Sequence, residues 1–268
     1  MARVRLDQLL TQRSLAPSRQ RAQGMIMAGI VYVNGQQVIK PGSKFPPEVE
    51  IEVKGQVLPY VSRGGLKLKK ALDLWQVDVT DKVVIDVGAS TGGFTDCLLQ
   101  HGARKVYAVD VGYGQLAWSL RTDPRVVVME RTNIRHMNPG DLEEPPDLAT
   151  VDVSFISIRK FLEVLWNLLT PAGEVIALVK PQFEAGREQV GKKGVVRDPE
   201  VHRHVLLEIA QAALSWGWKT VGLTYSPITG PEGNIEFLIY WRKQTAETVL
   251  LEDEVGRVVA DAHRWLRG

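Results

Sequence analysis

The stretch from residue 83 to residue 95 decides the fold, and it reads Val83-Val84-Ile85-Asp86-Val87-Gly88-Ala89-Ser90-Thr91-Gly92-Gly93-Phe94-Thr95. An apolar run typical of a buried strand is followed by a tight glycine turn and by the first residues of a helix. Glycine lets the backbone turn sharply and approach a ligand closely, and a helix N-terminus offers free N–H groups. The stretch is not a phosphate loop, because no Gly-Lys-Ser/Thr follows its glycines, and it lacks the dinucleotide pattern Gly-x-Gly-x-x-Gly. It predicts a ligand-binding turn between a strand and a helix.

The next strand-like run supports this interpretation. Residues 106–109 are apolar and are followed by Asp110, which comes 22 residues after Gly88. An acidic residue about 20 positions downstream, at the tip of the second strand, binds the ribose hydroxyls of nucleosides in α/β folds. A strand-capping Asp in a loop is the alternative. The turn and Asp110 together favour a nucleoside-type cofactor.

Apolar runs and helical patterns alternate along the chain beyond residue 66. Buried strands interleaved with helices predict an α/β fold with a mostly parallel seven-stranded sheet, covered on both faces. The predicted strands are 83–87, 106–109, 126–129, 148–151, 175–179, 221–223 and 237–240. The predicted helices are 66–75, 93–101, 115–121, 156–169, 200–215 and a C-terminal one within 246–267.

Two later strands end in charged residues. Asp152 follows the run 148–151, and Lys180 follows the run 175–179. In open α/β sheets the ligand crevice lies beyond the carboxyl ends of the strands, so both side chains are expected to face the crevice of the glycine turn. The alternative is a capping Asp and a Lys whose stem covers apolar surface while its ammonium reaches water.

The first 60 residues have a different character. They contain eight Lys and Arg residues against four acidic ones, a net charge of +4. The pattern predicts a helix near Leu6, a second one from Ser18 to about Ala28, a hairpin around Asn34-Gly35 and a strand at 49–53. We expect a small α+β domain over residues 1–59 and a larger domain over 60–268. The charge favours a polyanionic partner, with a solvated basic face as the alternative.

The composition excludes several classes of protein. A single cysteine, Cys97, rules out an internal disulfide or a cysteine-rich zinc cluster and fits a reducing cytoplasm. No metal site is expected, and Cys97 is predicted to be a core residue. No apolar run approaches a signal-peptide core or the roughly 18 residues of a membrane span. We expect a soluble, cytoplasmic protein without stable membrane association.

Five blocks of sequence resemble one known family. They are Ser62–Leu68, Asp86–Phe94, Asp152–Ser157, Lys180–Glu184 and Gly233–Phe237. In this order they are similar to the TlyA, or hemolysin A, family of FtsJ-like ribosomal RNA 2′-O-methyltransferases. The first 60 residues resemble an alpha-L RNA-binding domain, and the glycine turn resembles the one that holds S-adenosylmethionine in class I methyltransferases. The resemblance covers essentially the whole chain.

The resemblance implies a Rossmann-like class I methyltransferase domain, S-adenosylmethionine as cofactor, and cytidine targets in the RNA of a ribosomal subunit. It also implies a catalytic tetrad at Lys67, Asp152, Lys180 and Glu236. Lys67 is assigned by resemblance alone, because Lys69 and Lys70 crowd the same helix. A ribose 2′-hydroxyl is a weak acid that must be held in line and lose its proton as the bond forms. We assign Lys180 as the general base, Lys67 and Glu236 as groups that orient the ribose and tune charge, and Asp152 as a neighbour of the methyl group.

The remaining site residues follow from the turn and from the resemblance. The expected cofactor-binding residues are Asp86, Gly88, Ala89, Ser90, Thr91, Gly92, Gly93, Phe94, Thr95, Asp110, Val111 and Asn133. Asn133 follows the third strand, where methyltransferases of this resemblance contact adenine. The expected RNA-binding residues are Arg3, Arg5, Arg19, Arg21 and Arg63, which would contact phosphates and so position the RNA without reading its sequence.

Two other functions compete with methyl transfer to ribose. One is a non-catalytic RNA-binding or ribosome-assembly factor that keeps the fold, against which the charged tetrad argues. The other is a hemolysin-like, membrane-active protein, which the lack of a spanning segment disfavours.

The basic, glycine-rich loop 184–194 either closes over RNA or is an ordinary surface loop. Other methylation chemistries fit less well, because Asp152–Phe155 replaces the Asn/Asp-Pro-Pro-aromatic motif for base amines.

Overall fold

The computed structural model of the chain describes residues 3–27, 29–54, 58–230, 232–246, 248–249 and 251–267. Within it the chain divides into two compact units, residues 1–61 and residues 62–268. Three predicted features fall partly outside the described residues: the end of the second helix at residue 28, part of the stretch that follows residue 54, and positions 247 and 250 before the C-terminal helix.

The first unit is a small α+β module. Its elements are β1 (Val4–Arg5), α1 (Leu6–Gln12), α2 (Arg19–Met27), β2 (Val31–Val33), β3 (Gln36–Gln37), β4 (Lys44–Phe45) and β5 (Ile51–Val53). Strand β1 pairs antiparallel with β4, and β2 lies between β3 and β5. Asn34 and Gly35 both have positive φ, as the tight turn of the predicted hairpin requires. The pattern did not predict β1 and β4, because a two-residue strand is too short to show an alternation of apolar and polar residues.

The second unit contains the alternating elements expected from the sequence. They are α3 (Gly64–Trp75), β6 (Val83–Val87), α4 (Gly93–Gln100), β7 (Lys105–Val109), α5 (Trp118–Arg121), β8 (Val126–Met129), β9 (Leu148–Val151), α6 (Leu162–Leu168), β10 (Glu174–Val179), α7 (Pro181–Glu184), α8 (Pro199–Ser215), β11 (Lys219–Tyr225), β12 (Phe237–Arg242) and α9 (Leu251–Arg267). Short 3₁₀ turns complete the described connections.

These seven strands form one sheet in the order β11-β12-β10-β9-β6-β7-β8. Strand β12 runs antiparallel to both neighbours, and the ladders from β10 to β8 are parallel. The predicted α/β fold with a mostly parallel seven-stranded sheet is therefore confirmed. Val83, Ile85 and Val87 of β6 share a core with residues of α6, α8 and α9, and Cys97 of α4 is fully buried.

Two predicted helices are shorter than expected. Helix α5 begins at Trp118, and the span 156–169 is divided into a 3₁₀ turn at Ile158–Phe161 and helix α6. The break has a local cause, because Phe161 has φ −142° and leaves the helical region. None of the helices in the described part of the chain has the length and apolar character needed to cross a bilayer.

The direction of β12 determines which loops are neighbours. In a parallel sheet the carboxyl ends of the strands share one edge, and a strand that runs the other way begins at that edge. Phe237, the first residue of β12, is the register partner of Val179, the last residue of β10. Residues just before β12 and just after β10 therefore lie side by side.

Candidate active site

Four charged residues meet at the edge of the sheet where the parallel strands end. Asp152 follows β9, Lys180 follows β10, Glu236 precedes β12, and Lys67 lies on α3. They form two ion pairs: Lys67 Nζ lies 2.5 Å from Glu236 Oε2, and Lys180 Nζ lies 2.6 Å from Asp152 Oδ1. The structure thus brings together the four residues that the resemblance implied. We call them the charged cluster.

The Lys67–Glu236 pair is the more buried of the two. Glu236 is 1% exposed and Lys67 is 8% exposed. Burial raises the pKa of Glu236, while the positive charges of Lys67 and Lys180 oppose that rise by favouring the carboxylate. A charge pair held this firmly can orient a polar ligand without itself moving.

The three lysines of α3 have separate partners. Lys69 binds Asp73 one turn further along the helix, and Lys70 donates to the carbonyl of Tyr225 at 2.7 Å. Only Lys67 of these three reaches the charged cluster. The sequence could not distinguish them, because the choice depends on which face of α3 meets the sheet.

Lys180 is held between a hydroxyl and a carboxylate. Its Nζ donates to Ser154 Oγ at 3.0 Å and lies close to Asp152 Oδ1. That carboxylate oxygen is buried and, among the described residues, accepts no hydrogen bond of acceptable angle, although the ammonium is within ion-pair distance. The pair is therefore held together by charge. Ser154 was not singled out from the sequence, although it lies within the Asp152–Ser157 block.

The glycine turn lies directly beside the charged cluster. Gly88 has φ +86°, and a Cβ added there would meet the carbonyl oxygen of Asp152 at 2.6 Å and the nitrogen of Val153 at 3.1 Å. Gly92 has φ +95°, and its Cβ would clash with the side chain of Leu120. The close approach at Gly88 is therefore to the backbone beyond β9 rather than to open space for a ligand. The glycine is needed because two loops touch there.

Asp86 and Thr95 are in the protein interior. Asp86 is fully buried, and its two carboxylate oxygens accept from the hydroxyls of Thr95 at 2.6 Å and Thr150 at 3.0 Å. Burial raises the pKa of Asp86 to about 7, the two hydroxyls oppose that rise, and the charge of Asp152 adds to it. These two expected cofactor-binding residues hold the turn between β6, β9 and α4, and their polar atoms are already used.

Asp110 connects the glycine turn to the loop after β7. Its carboxylate accepts from the backbone nitrogens of Ser90 at 2.8 Å and Gly112 at 2.7 Å. Val111 beside it is 72% exposed. Asn133 caps the 3₁₀ turn that follows β8, where its Oδ1 accepts from the nitrogen of Arg135. A carboxylate for hydroxyl groups, an uncovered apolar side chain and the start of α4 are a set that fits a nucleoside.

Phe155 was not predicted as a site residue, although it lies in a quoted block. It is 90% exposed, has φ +65°, and its ring lies 4.9 Å from that of Phe183. A positive φ is unusual for a bulky residue and is typical of functional sites. Neither the exposure of Phe155 nor its left-handed backbone could be predicted, because the residue types around it indicate neither.

The arginines of the first unit are partly engaged by protein groups. Arg5 and Arg19 both donate to the carboxylate of Asp7, which is fully buried and also accepts from Gln23. These bonds, that of Arg5 above all, hold the pKa of Asp7 well below its usual range. Arg21 donates to the carbonyl of Pro59. Two of the predicted RNA-binding residues, Arg5 and Arg19, are therefore both bound to the carboxylate of Asp7. Arg3 and Arg63 are exposed.

Comparison with known proteins identifies relatives over the whole chain. Residues 60–243 match the FtsJ-like methyltransferase family, and residues 4–51 match the S4 domain. A Bacillus subtilis protein named "Putative rRNA methyltransferase YqxC" is 56% identical over 267 residues, which cover 98% of this chain and 95% of the relative. The Mycobacterium tuberculosis "16S/23S rRNA (cytidine-2'-O)-methyltransferase TlyA" is 43% identical over 97% of this chain and 98% of its own length.

A solved structure agrees with these relatives. The one described as "Putative hemolysin from Streptococcus thermophilus" is 46% identical, has a TM-score of 0.78, and is matched over 100% of this chain and 98% of that chain. The family resemblance predicted from the sequence is confirmed.

Proposed function

This chain belongs to the FtsJ-like methyltransferases that carry an S4 domain, the TlyA or hemolysin A family, and on that premise we propose that it methylates the ribose 2′-hydroxyl of cytidine in ribosomal RNA. The methyl donor is S-adenosylmethionine. The observation that carries the proposal is the charged cluster, in which two lysine–carboxylate pairs lie beside the glycine turn. Two amines next to two carboxylates can hold a hydroxyl group and take up its proton.

The cofactor, when bound, supplies a methyl group that its positively charged sulfur already activates. The protein's task is to hold the ribose oxygen in line with that methyl group and to take up the hydroxyl proton. As the general base, Lys180 would take up the hydroxyl proton at its Nζ as the ribose oxygen accepts the methyl group. Asp152 and Ser154 hold the Lys180 amine in place.

The other pair orients the substrate. Lys67 donates to the ribose oxygens, and Glu236 fixes the Lys67 side chain at 2.5 Å. Asp110 would hold the cofactor's hydroxyls, and Val111 and Asn133 would hold its base. The turn residues Gly88, Ala89, Ser90, Thr91, Gly92, Gly93 and Phe94 would hold the rest of the cofactor, whereas Asp86 and Thr95 position the turn from within the core.

The first unit docks the substrate. It is an S4 domain with a net charge of +4 over residues 1–60, and Arg3, Arg5, Arg19 and Arg21 contact phosphates there, as Arg63 does in the second unit. Phe155 offers an aromatic face on which an unstacked base can lie. An enzyme that modifies ribosomal RNA works where ribosomes are assembled, and we place this one in the cytoplasm.

The test is methyl transfer from labelled S-adenosylmethionine to unmodified ribosomal subunits, followed by mapping of ribose methylation. Lys180→Ala should lower the rate by about 10²- to 10⁴-fold, the usual contribution of a general base, and leave cofactor and RNA affinity unchanged. Lys180→Arg should fail as well, because guanidinium does not release its proton.

Lys69→Ala is the matched control, because Lys69 pairs with Asp73 outside the charged cluster. It should transfer methyl at the wild-type rate. Near-wild-type activity of Lys180→Arg would remove the base role from Lys180. Binding of RNA and cofactor by the wild-type protein without any transfer would favour the alternative of a non-catalytic assembly factor.

A further inference from the structure

Two segments leave neighbouring strands at the edge of the sheet where the charged cluster lies. The first segment, residues 152–158, follows β9, and the second segment, residues 180–184, follows β10. Val151 and Ala177 are register partners in the parallel ladder between these strands, so the second segment starts two residues further along its strand than the first. Each segment contributes one member of the Lys180–Asp152 pair.

The two segments are joined by a succession of contacts, besides the bond from Lys180 Nζ to Ser154 Oγ described above. Nearest the sheet is the ion pair of Lys180 with Asp152, and beyond it the rings of Phe155 and Phe183 lie 4.9 Å apart. The last contact is made by Glu184. Its Oε2 accepts from the hydroxyl of Ser157 at 2.5 Å, and its Oε1 accepts from the backbone nitrogen of Ile158 at 2.8 Å.

Glu184 is the buried member of this arrangement. It is 6% exposed, and both of its carboxylate oxygens are used by the first segment. Arg159 adds a tie to helix α8, because its guanidinium donates to the carbonyl of Glu184 and to the carboxylate of Glu208, each at 3.0 Å. The far ends of both segments are therefore anchored to each other and to the body of the domain.

The anchoring explains how Phe155 keeps an unfavourable backbone. A residue in the left-handed region persists there only where the surrounding structure fixes it. Asp152 fixes one side of Phe155 through the end of β9, since its backbone nitrogen donates to the carbonyl of Val87 at 2.9 Å. On the other side, the fixed point is the bond of Ser157 and Ile158 to Glu184.

We propose that Glu184 is a positioning residue for methyl transfer, which sets the distance between Asp152 and Lys180 and the orientation of Phe155 by tying the first segment to the second. The inference rests on the proposed function, because it concerns the geometry of that same site. Glu184 acts through the other residues and touches neither substrate. Reacting groups tolerate little displacement, and a shift of about 1 Å can lower a rate by about a hundredfold.

The experiment compares a buried carboxylate beyond the carboxyl end of β10 with a partly buried one at the first residue of that strand. Glu184 follows β10, whereas Glu174 begins it and binds Tyr240, Arg242 and Lys82 far from the charged cluster. Glu184→Ala, Glu184→Gln and Glu174→Ala are made in the full chain. For each we measure kcat and KM with ribosomal subunits, the affinity for S-adenosylmethionine by calorimetry, and Tm.

Glu184→Ala should lower kcat by about tenfold to a hundredfold with cofactor affinity unchanged, while Glu174→Ala lowers Tm and keeps the wild-type kcat. Glu184→Gln should recover most of the activity, because an amide can still bond to Ile158 and Ser157. Ser157→Ala should lower kcat less, and the double variant should lose less than the product of the two single losses, since both changes break the Glu184–Ser157 bond, while Ser157→Ala also removes the bond that its hydroxyl accepts from the backbone nitrogen of Arg159.

Equal kcat values for Glu184→Ala and Glu174→Ala would overturn the inference, and so would independent, multiplicative losses in the double variant. If Glu184→Ala does not fold, the other two variants decide. A wild-type kcat in Ser157→Ala would overturn the inference, and so would a kcat in Glu184→Gln that is not largely recovered. A wild-type protein without methyl transfer would overturn the proposed function itself, an outcome seen before any variant is compared.

Discussion

At Phe155 the backbone adopts a left-handed conformation that glycine adopts readily and a bulky residue rarely. The side chain is also almost fully exposed, so neither burial nor backbone energy favours phenylalanine at this position. Because this side chain lies beside the charged cluster, where its ring contacts one edge of the site through Phe183, we propose that it serves to bind the RNA substrate. An unstacked base of RNA is the partner that matches an aromatic face.

Replacement of Phe155 tests this assignment. Phe155→Ala should lower kcat/KM for RNA by roughly fivefold to a hundredfold, because stacking of a base on an aromatic ring contributes about 1–3 kcal/mol. Phe155→Gly should lose the same activity without loss of stability, since glycine relieves the positive φ. Trp265→Ala is the control, because Trp265 is 70% exposed on helix α9. Undiminished RNA methylation by Phe155→Gly would contradict the stacking role.

Asp86 makes stability depend on pH. Its pKa is raised from 3.8 to about 7 in the folded protein, so the fold favours the neutral carboxyl. The contribution of Asp86 to the free energy of unfolding is fully present below pH 3.8 and is lost as the pH rises through about 7. The reason is that Asp86 ionises at a lower pH in the unfolded chain than in the folded protein. Over this range the loss amounts to about 4 kcal/mol.

Asp86→Asn removes this titration and keeps a polar group for Thr95 and Thr150. Relative to the wild type, the variant should therefore gain stability steadily between about pH 4 and pH 8, by an amount on the order of 4 kcal/mol. The measurement is denaturant unfolding at several pH values. A difference between the two proteins that does not change with pH would show that Asp86 is ionised throughout.

Helices α3 and α4 touch through glycine at their first residues. A Cβ on Gly93 would clash with the hydroxyl of Ser62 and would meet the nitrogen of Gly65 at 2.9 Å. Because α3 also carries Lys67, the position of that lysine depends on this contact. Spacing alone did not reveal it, since Gly93 was assigned from the sequence to the cofactor turn.

Gly93→Ala separates helix propensity from packing. Alanine favours a helix by up to about 1 kcal/mol over glycine, but here its methyl group forces α3 away at a cost of about 1–3 kcal/mol. We expect a lower Tm and a loss of methyl transfer of about tenfold from the displaced Lys67. Gly140→Ala should change neither property, because a Cβ there meets no atom of the described residues within 4 Å. A stabilised and fully active Gly93→Ala would show that α3 adapts freely.

The elements that the sequence predicted are those with a strong local pattern. Both faces of a parallel sheet are covered, so its strands appear in the sequence as continuous apolar runs. The seven strands and their alternation with helices could therefore be predicted from these runs. The two-residue strands β1 and β4 have no such pattern. Asp152 and Lys180 could be placed at one edge from the general geometry of parallel sheets, whereas Glu236 required the family resemblance, since the direction of β12 is not encoded in its own residues.

Contacts across long separations that neither sheet geometry nor the family resemblance implies could not be predicted. The bonds of Glu184 to Ser157 and of Asp86 to Thr150 join residues 27 and 64 positions apart. Each depends on how loops leave the sheet, which residue types alone do not specify. The predicted cofactor and RNA contacts stay predictions, and the structure adds that Asp86 and Thr95 have their polar atoms occupied.

Charge is distributed unequally along the chain. Residues 1–60 carry a net charge of +4 and the remaining 208 residues a net charge of −2, which gives +2 in total. If the first unit docks RNA through phosphates, affinity should fall steeply as salt is raised. Arg3→Gln combined with Arg21→Gln should weaken binding to ribosomal RNA and flatten the slope of log affinity against log salt by up to about 2, close to one for each lost phosphate contact.

The control for this experiment is Arg257→Gln on helix α9, where the guanidinium is already paired with Glu254 and Asp261. It should leave the slope unchanged. Filter binding with the full chain at a series of salt concentrations gives both slopes. Identical slopes for the wild type and the double variant would contradict docking by these arginines.

Strand β12 constrains how the newly made chain matures. It is the last strand of the described sequence, yet it lies between β10 and β11, so it must insert into a sheet whose other strands are synthesised earlier. Glu236 enters the charged cluster with it and closes a contact with Lys67 across 169 positions. Contacts between such distant residues form late, because the entropy of closing the loop must first be overcome. The charged cluster therefore stays incomplete until β12 has been synthesised and has inserted between β10 and β11.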